Sequence, residues 1–215
     1  MTDQVEYEPT SNYEMQNIEG WTVYVNRRLL DEEKELGHDF LRLMRVKLYD
    51  INRLFPSSAL KRLYDVAIWL EANNEKVTCA CYHPSEQWLR EHGFNPEKAK
   101  SVEIGNAANF IQWSLHQPMM VLHELAHGYH HQVLGYDNPD IKVAYKQAVE
   151  ARIYESVLRY DGEQAQAYAL NNDQEYFAEQ TEAYFGTNDF YPFVKAELMK
   201  HDPLMYETLR KLWGE

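Results

Sequence analysis

The chain has 215 residues, 45% of them hydrophobic and 26% charged. That is enough for one domain or a catalytic unit with a small subdomain, and it excludes disorder for the chain as a whole. The formal net charge of -13 argues against nucleic acid or an anionic membrane as partner. No run approaches the roughly 18 continuous apolar residues of a membrane span.

Residues 1–20 begin MTDQVEYEPTSNYEMQ, acidic and polar without an apolar stretch. They read as a flexible leader, and the sequence as written reads as cytoplasmic. Removal of a signal peptide would make it secreted or periplasmic. A single domain is expected over 21–215, with an N-terminal α/β part at 21–117 and a helical part at 118–215. WTVYVN, Trp21–Asn26, alternates and is rich in β-formers, which predicts a strand. Apolar residues from Leu36 to Leu54 recur at helical spacing after an acidic start at Asp31, and Pro56 ends that helix. Leu63–Leu70, Val77–Tyr82 and Ser101–Ile104 read as β-like pieces. Ser85–His92 reads as a short helix closed by Gly93. Asn109–Trp113 reads as a further strand.

Pro118 opens a helix running to about Leu134, where Gly135 stops it. Helices follow at Asp140–Leu158, Asp173–Phe185 and Leu204–Trp213. Cys79 and Cys81 flank Ala80. On a strand they share a face, a poor geometry for a disulfide, and they lack the partners of a zinc ribbon. They read as small buried hydrophobes. The fold class is α+β: a small mixed sheet, then the helix at 118–134, then a mostly helical C-terminal half.

That helix carries HELAH at 123–127. His123 and His127 lie four apart, on one helix face about a turn apart, so two imidazoles can bind one zinc ion. Glu124 stands beside the first histidine, where it can act on water at the metal. Val121, Leu122, Leu125 and Ala126 make the helix apolar. A glutamate and two histidines in such a helix call for a metal or another partner, because buried charge is costly unless paired. The third ligand must come from elsewhere. In DQEYFAEQTEAYF, Glu175 and Glu179 share one helix face; one can bind zinc while the other orients a ligand imidazole through its free N–H. Glu182 lies on a nearby face. His130 and His131 read as surface or pocket-rim residues, and His201 as a loop residue at a helix boundary.

HELAH at 123–127, Tyr168, and Glu175 in NNDQEYFAE together resemble the catalytic domain of anthrax lethal factor and the related Pro-Pro endopeptidases. The resemblance covers about Pro118 to Phe185 and implies a zincin-like fold holding one zinc ion per chain. It implies His123, His127 and Glu175 as ligands and Glu124 as general base. Glu179 would be the supporting carboxylate. Tyr168, seven residues before Glu175, would point at the metal and stabilise the transition state. The large additional domains of lethal factor are absent from this sequence.

The expected activity is therefore zinc-dependent hydrolysis of peptide bonds in a peptide or protein substrate. Such a substrate pairs with the edge of a sheet. Ser101–Trp113, with Asn106 and Asn109 near its middle, is the candidate edge, and Trp113 and Tyr129 are candidates for pocket walls. Two other readings stand beside this one: a metal-holding interaction or regulatory protein of peptidase fold, and an enzyme acting on a non-peptide bond with the same metal geometry.

Overall fold

The structure is a computed structural model that describes residues 7–214. The chain divides into two compact units. One comprises the described residues up to Tyr49 together with Tyr64–Gln112; the other comprises Asp50–Leu63 and Trp113 onward. The small mixed sheet lies in the first and the HExxH helix in the second, which is mostly helical: a zincin-like α+β fold.

The first unit opens with β1 (Tyr13–Ile18) and β2 (Trp21–Asn26), paired antiparallel. Their loop is Glu19–Gly20, both at positive φ, the two-residue turn whose twist matches that of flanking strands. The leader expectation is thus corrected from Tyr13 onward, and residues 1–6 lie outside the described residues. Only Tyr13 and Ile18, at the ends of β1, are buried, so the strand carries little alternation for a sequence reading to find. In β2, by contrast, Trp21, Val23 and Val25 all face the core.

Asn26 caps α1 (Arg27–Asp31) by accepting from the Arg28 N–H. The long helix α2 (Lys34–Leu54) buries Phe40, Met44, Leu48 and Ile51 along one stripe. Gly37 has no Cβ for a reason: one would meet the Leu29 carbonyl oxygen at 2.0 Å. Next come α3 (Ser57–Leu63), β3 (Ile68–Leu70), β4 (Ala80–His83), α4 (Glu86–Glu91) and β5 (Ser101–Ile104). The expected Leu63–Leu70 strand is therefore a helix end followed by a three-residue strand.

The sheet order is β1-β2-β3-β5-β4, with β2, β3 and β5 parallel and β4 antiparallel to β5. This overturns the expected peptide-binding edge: β5 is paired on both sides, and the edges are β1 and β4. Asn109–Trp113 is also not a strand. Asn106 accepts from the Asn109 N–H and starts helix α5 (Ala107–Trp113).

The second unit holds α6 (Met120–Tyr129), extended by a π-helical turn at His130–Leu134. Gly135, at φ +76, ends it. Helix α7 (Pro139–Glu150) stops eight residues short of the expected Leu158. Arg152 adopts φ +57, donates to the Val149 carbonyl, and is followed by an Ile153 N–H bond to Ala148. This is a Schellman end made without glycine. A small hairpin, β6 (Val157–Leu158) and β7 (Gln164–Ala165), leads to α8 (Asp173–Phe185), α9 (Lys195–His201) and α10 (Pro203–Trp213). Phe177, Phe185, Tyr129 and Phe55 surround Trp213. Among the described residues no helix is long and apolar enough to cross a membrane.

Candidate metal centre

Two helices supply the centre. Helix α6 is buried along nearly its whole length, as its apolar residues around HELAH require. Helix α8 starts at Asn172, whose side chain accepts from the Gln174 and Glu175 N–H groups, so Glu175 sits in a first turn fixed by its cap. Behind α8, Tyr176 and Tyr154 both donate to Asp202, which itself caps α10. The helix is thereby held at its back.

The Nε2 atoms of His123 and His127 lie 3.1 Å and 3.2 Å from the same oxygen, Oε2 of Glu175. All three donor atoms fall within 4.8 Å of one another. Ligands of a tetrahedral zinc with bonds of about 2.0–2.1 Å stand roughly 3.3 Å apart. Two imidazole nitrogens and a carboxylate are zinc-type donors, so the residues fit the ion in chemistry and in spacing. This is a zincin-like HExxH active-site geometry. Glu124 is 9% exposed, on α6 directly after His123.

The electrostatics agree. Burial opposes ionisation of Glu175, but hydrogen bonds from His123 and His127 outweigh it and hold the carboxyl well below its usual range. Burial likewise disfavours a charged His123, yet hydrogen bonds to Glu175 and Glu182 push it well above the ordinary histidine value.

The imidazole-orienting contact expected of Glu179 belongs to Glu182. His123 Nδ1 lies 2.7 Å from Glu182 Oε1 and 3.8 Å from Glu179 Oε1. Glu179 instead accepts from Asn188 Nδ2 at 3.2 Å. Glu182 and Glu179 are both buried, as is Asp189, which accepts from Gln117 Nε2. Burial, then the charge of Glu182, raises Glu179 well above the carboxylate range; Glu182 and Asp189 are raised too, chiefly by burial. The hydrogen bond to His123 Nδ1 opposes this rise at Glu182. Residues 188 and 189 carry no signal in the sequence, since they reach the site from the loop after α8.

Tyr168 stands in a short 3-10 turn before α8, half exposed, its ring centroid 6.4 Å from that of His123. Trp113, also half exposed, lines a hollow with His116, Gln117 and Tyr160, in which His116 stacks on Tyr160. Tyr129 does not line a pocket: it is buried, stacked on Trp213, and donates to the Leu212 carbonyl. His130 is not a surface residue. It is fully buried between Tyr136 and Phe177, with no hydrogen-bond partner at either ring nitrogen. His131 stacks on Tyr136, and His201 closes α9 with a bond to the Ile153 carbonyl. The chain matches no protein-family model, and no curated protein and no solved structure matches it.

Proposed function

We propose that the protein is a zinc-dependent endopeptidase, with one zinc ion held by His123, His127 and Glu175. The observation that carries this reading is the meeting of those three donor atoms beside Glu124. Zinc bound there supplies Lewis-acid polarisation of the scissile carbonyl and a water acidic enough to ionise near neutral pH.

The chain's own groups do the rest. Glu124 takes the proton of the attacking water as the new C–O bond forms, and delivers it to the amine nitrogen as the C–N bond breaks. The products are one new carboxyl terminus and one new amino terminus. Tyr168 donates its hydroxyl hydrogen to the carbonyl oxygen as negative charge develops there. Its exposed position leaves the hydroxyl free to meet substrate. Glu182 holds His123 in the orientation that leaves Nε2 for the metal. The Trp113, His116 and Tyr160 wall receives a substrate side chain on a flat aromatic surface.

The spacing of Tyr168 and Glu175 supports kinship with anthrax lethal factor and the Pro-Pro endopeptidases, and that kinship is part of the proposal. The test is a peptide library incubated with zinc-loaded protein, with new termini read by mass spectrometry. Cleavage should disappear on chelation and return with zinc. A fully zinc-loaded protein that cleaves nothing in a diverse library overturns the reading.

A further inference from the structure

A second group of metal-type donors lies in the sheet unit. Cys81 and His83 are two apart on β4 and share a face, and Cys81 is the register partner of Glu103 on β5. Sγ of Cys81 lies 3.4 Å from Nε2 of His83, and that same nitrogen lies 2.6 Å from Oε2 of Glu103. All three donor atoms fall within 4.8 Å of one another.

A nucleophilic relay does not fit this arrangement. In a Cys–His–carboxylate relay the two ring nitrogens serve different partners. Here Nε2 alone faces both, so three donors aim at one small volume. Around a tetrahedral zinc, sulfur and nitrogen stand roughly 3.5 Å apart and nitrogen and oxygen roughly 3.3 Å apart. The first spacing is already present. The second requires the His83–Glu103 pair to part by roughly 0.7 Å.

The other carboxylate oxygen is committed elsewhere. Oε1 of Glu103 accepts from Lys98 Nζ and Asn74 Nδ2, both at 2.7 Å. Lys98 is in turn shared with Glu71, which also accepts from Asn26 and Tyr13. Oε2 is therefore the oxygen left for an ion. Charge balances as well: Glu71, Glu103 and a Cys81 thiolate are offset by Lys98 and one divalent cation. His83 and Glu103 are buried while Cys81 is half-buried against Val77, Leu89 and Phe94. Of the three donors Cys81 is the most accessible.

We propose that Cys81, His83 and Glu103 form a second metal site, separate from the HExxH centre, for a borderline divalent transition-metal ion of the zinc class. Thiolate and imidazole select against magnesium and calcium. The ion ties the edge strand β4 to β5, and it stabilises the folded chain by mass action.

Cobalt(II) tests this without relying on peptidase activity. A thiolate bound to cobalt gives a near-ultraviolet charge-transfer band, and the HExxH donors include no sulfur. The band is expected in the wild-type protein with about two cobalt ions per chain. It should vanish in Cys81→Ser and persist in His123→Ala, each of which keeps one ion. Zinc should also slow alkylation of Cys81 in the wild-type protein, a readout that needs no variant to fold. No charge-transfer band in folded, cobalt-saturated wild type overturns the proposal, as does a band that survives Cys81→Ser. A direct His83–Glu103 hydrogen bond with no ion between them predicts no band and no protection by zinc, and either absence overturns the proposal. Loss of peptidase activity alone, with the band intact, counts against the proposed function and leaves this site standing.

Discussion

His123 Nδ1 is hydrogen-bonded to Glu182 at 2.7 Å, whereas Glu179, one helical turn nearer to Glu175, stays 3.8 Å away. The carboxylate that fixes the imidazole is thus the one two turns beyond Glu175. Partners of this kind hold the tautomer and raise the basicity of a ligand histidine, and losing one costs about 10–100-fold in metal affinity. Glu182→Gln should weaken zinc binding by that amount in a chelator competition. Glu179→Gln should weaken it less. A reversed ranking would return the role to Glu179.

Glu124 touches the reacting water in this scheme and is not one of the three donors. Glu124→Gln should abolish turnover while the zinc content stays near one per chain at the HExxH centre. Equal cleavage by wild type and variant, measured by the appearance of new termini, would remove Glu124 from the chemistry.

Tyr168 is half exposed, with its ring centroid 6.4 Å from that of His123. Tyr168→Phe should leave the melting temperature and metal content unchanged and lower kcat, with little change in KM. The loss of one oxyanion donor corresponds to about 100- to 1,000-fold. A change confined to KM would assign the ring to substrate packing instead.

His130 gives a pH dependence of stability. Burial, followed by the charges of His127, His131 and Lys142, pushes its imidazole down to about 4. The unfolded chain takes up the proton near the ordinary histidine value of 6.5, so between these values the unfolded state binds more protons. Stability is therefore full above about pH 6.5 and falls as the pH drops toward 4, by on the order of 3 kcal/mol for this one group. His130→Phe removes the group and should flatten that part of the denaturation profile, and it should not be destabilising at pH 7, since both ring nitrogens lack partners. A variant with the same acid slope as wild type would contradict the assignment.

The parts of the fold legible in the sequence are those written locally. Helix α8 runs from Asp173 to Phe185 as expected, because Asn172 caps its start and Gly186 follows its end. HELAH lies on a buried helix because apolar residues surround it. What could not be read depends on partners distant in the chain. Strand β1 pairs through its backbone while Met15 at its middle is exposed. Strand β5 is interior only because β3 and β4 both dock on it. Arg152 ends α7 in a conformation usually left to glycine, so no residue type announced the stop. At the site, Glu175, Glu179 and Glu182 follow one another at helical spacing along α8. Sequence alone puts all three within reach, and only the placement of α6 against α8 gives His123 to Glu182.

The proposed chemistry requires a zinc ion held by His123, His127 and Glu175. Anomalous diffraction at the zinc edge from crystals of the zinc-loaded protein tests it most directly. A peak at about 2.0–2.2 Å from both Nε2 atoms and a Glu175 oxygen is the predicted result. A zinc-saturated crystal with no peak between these residues would contradict it.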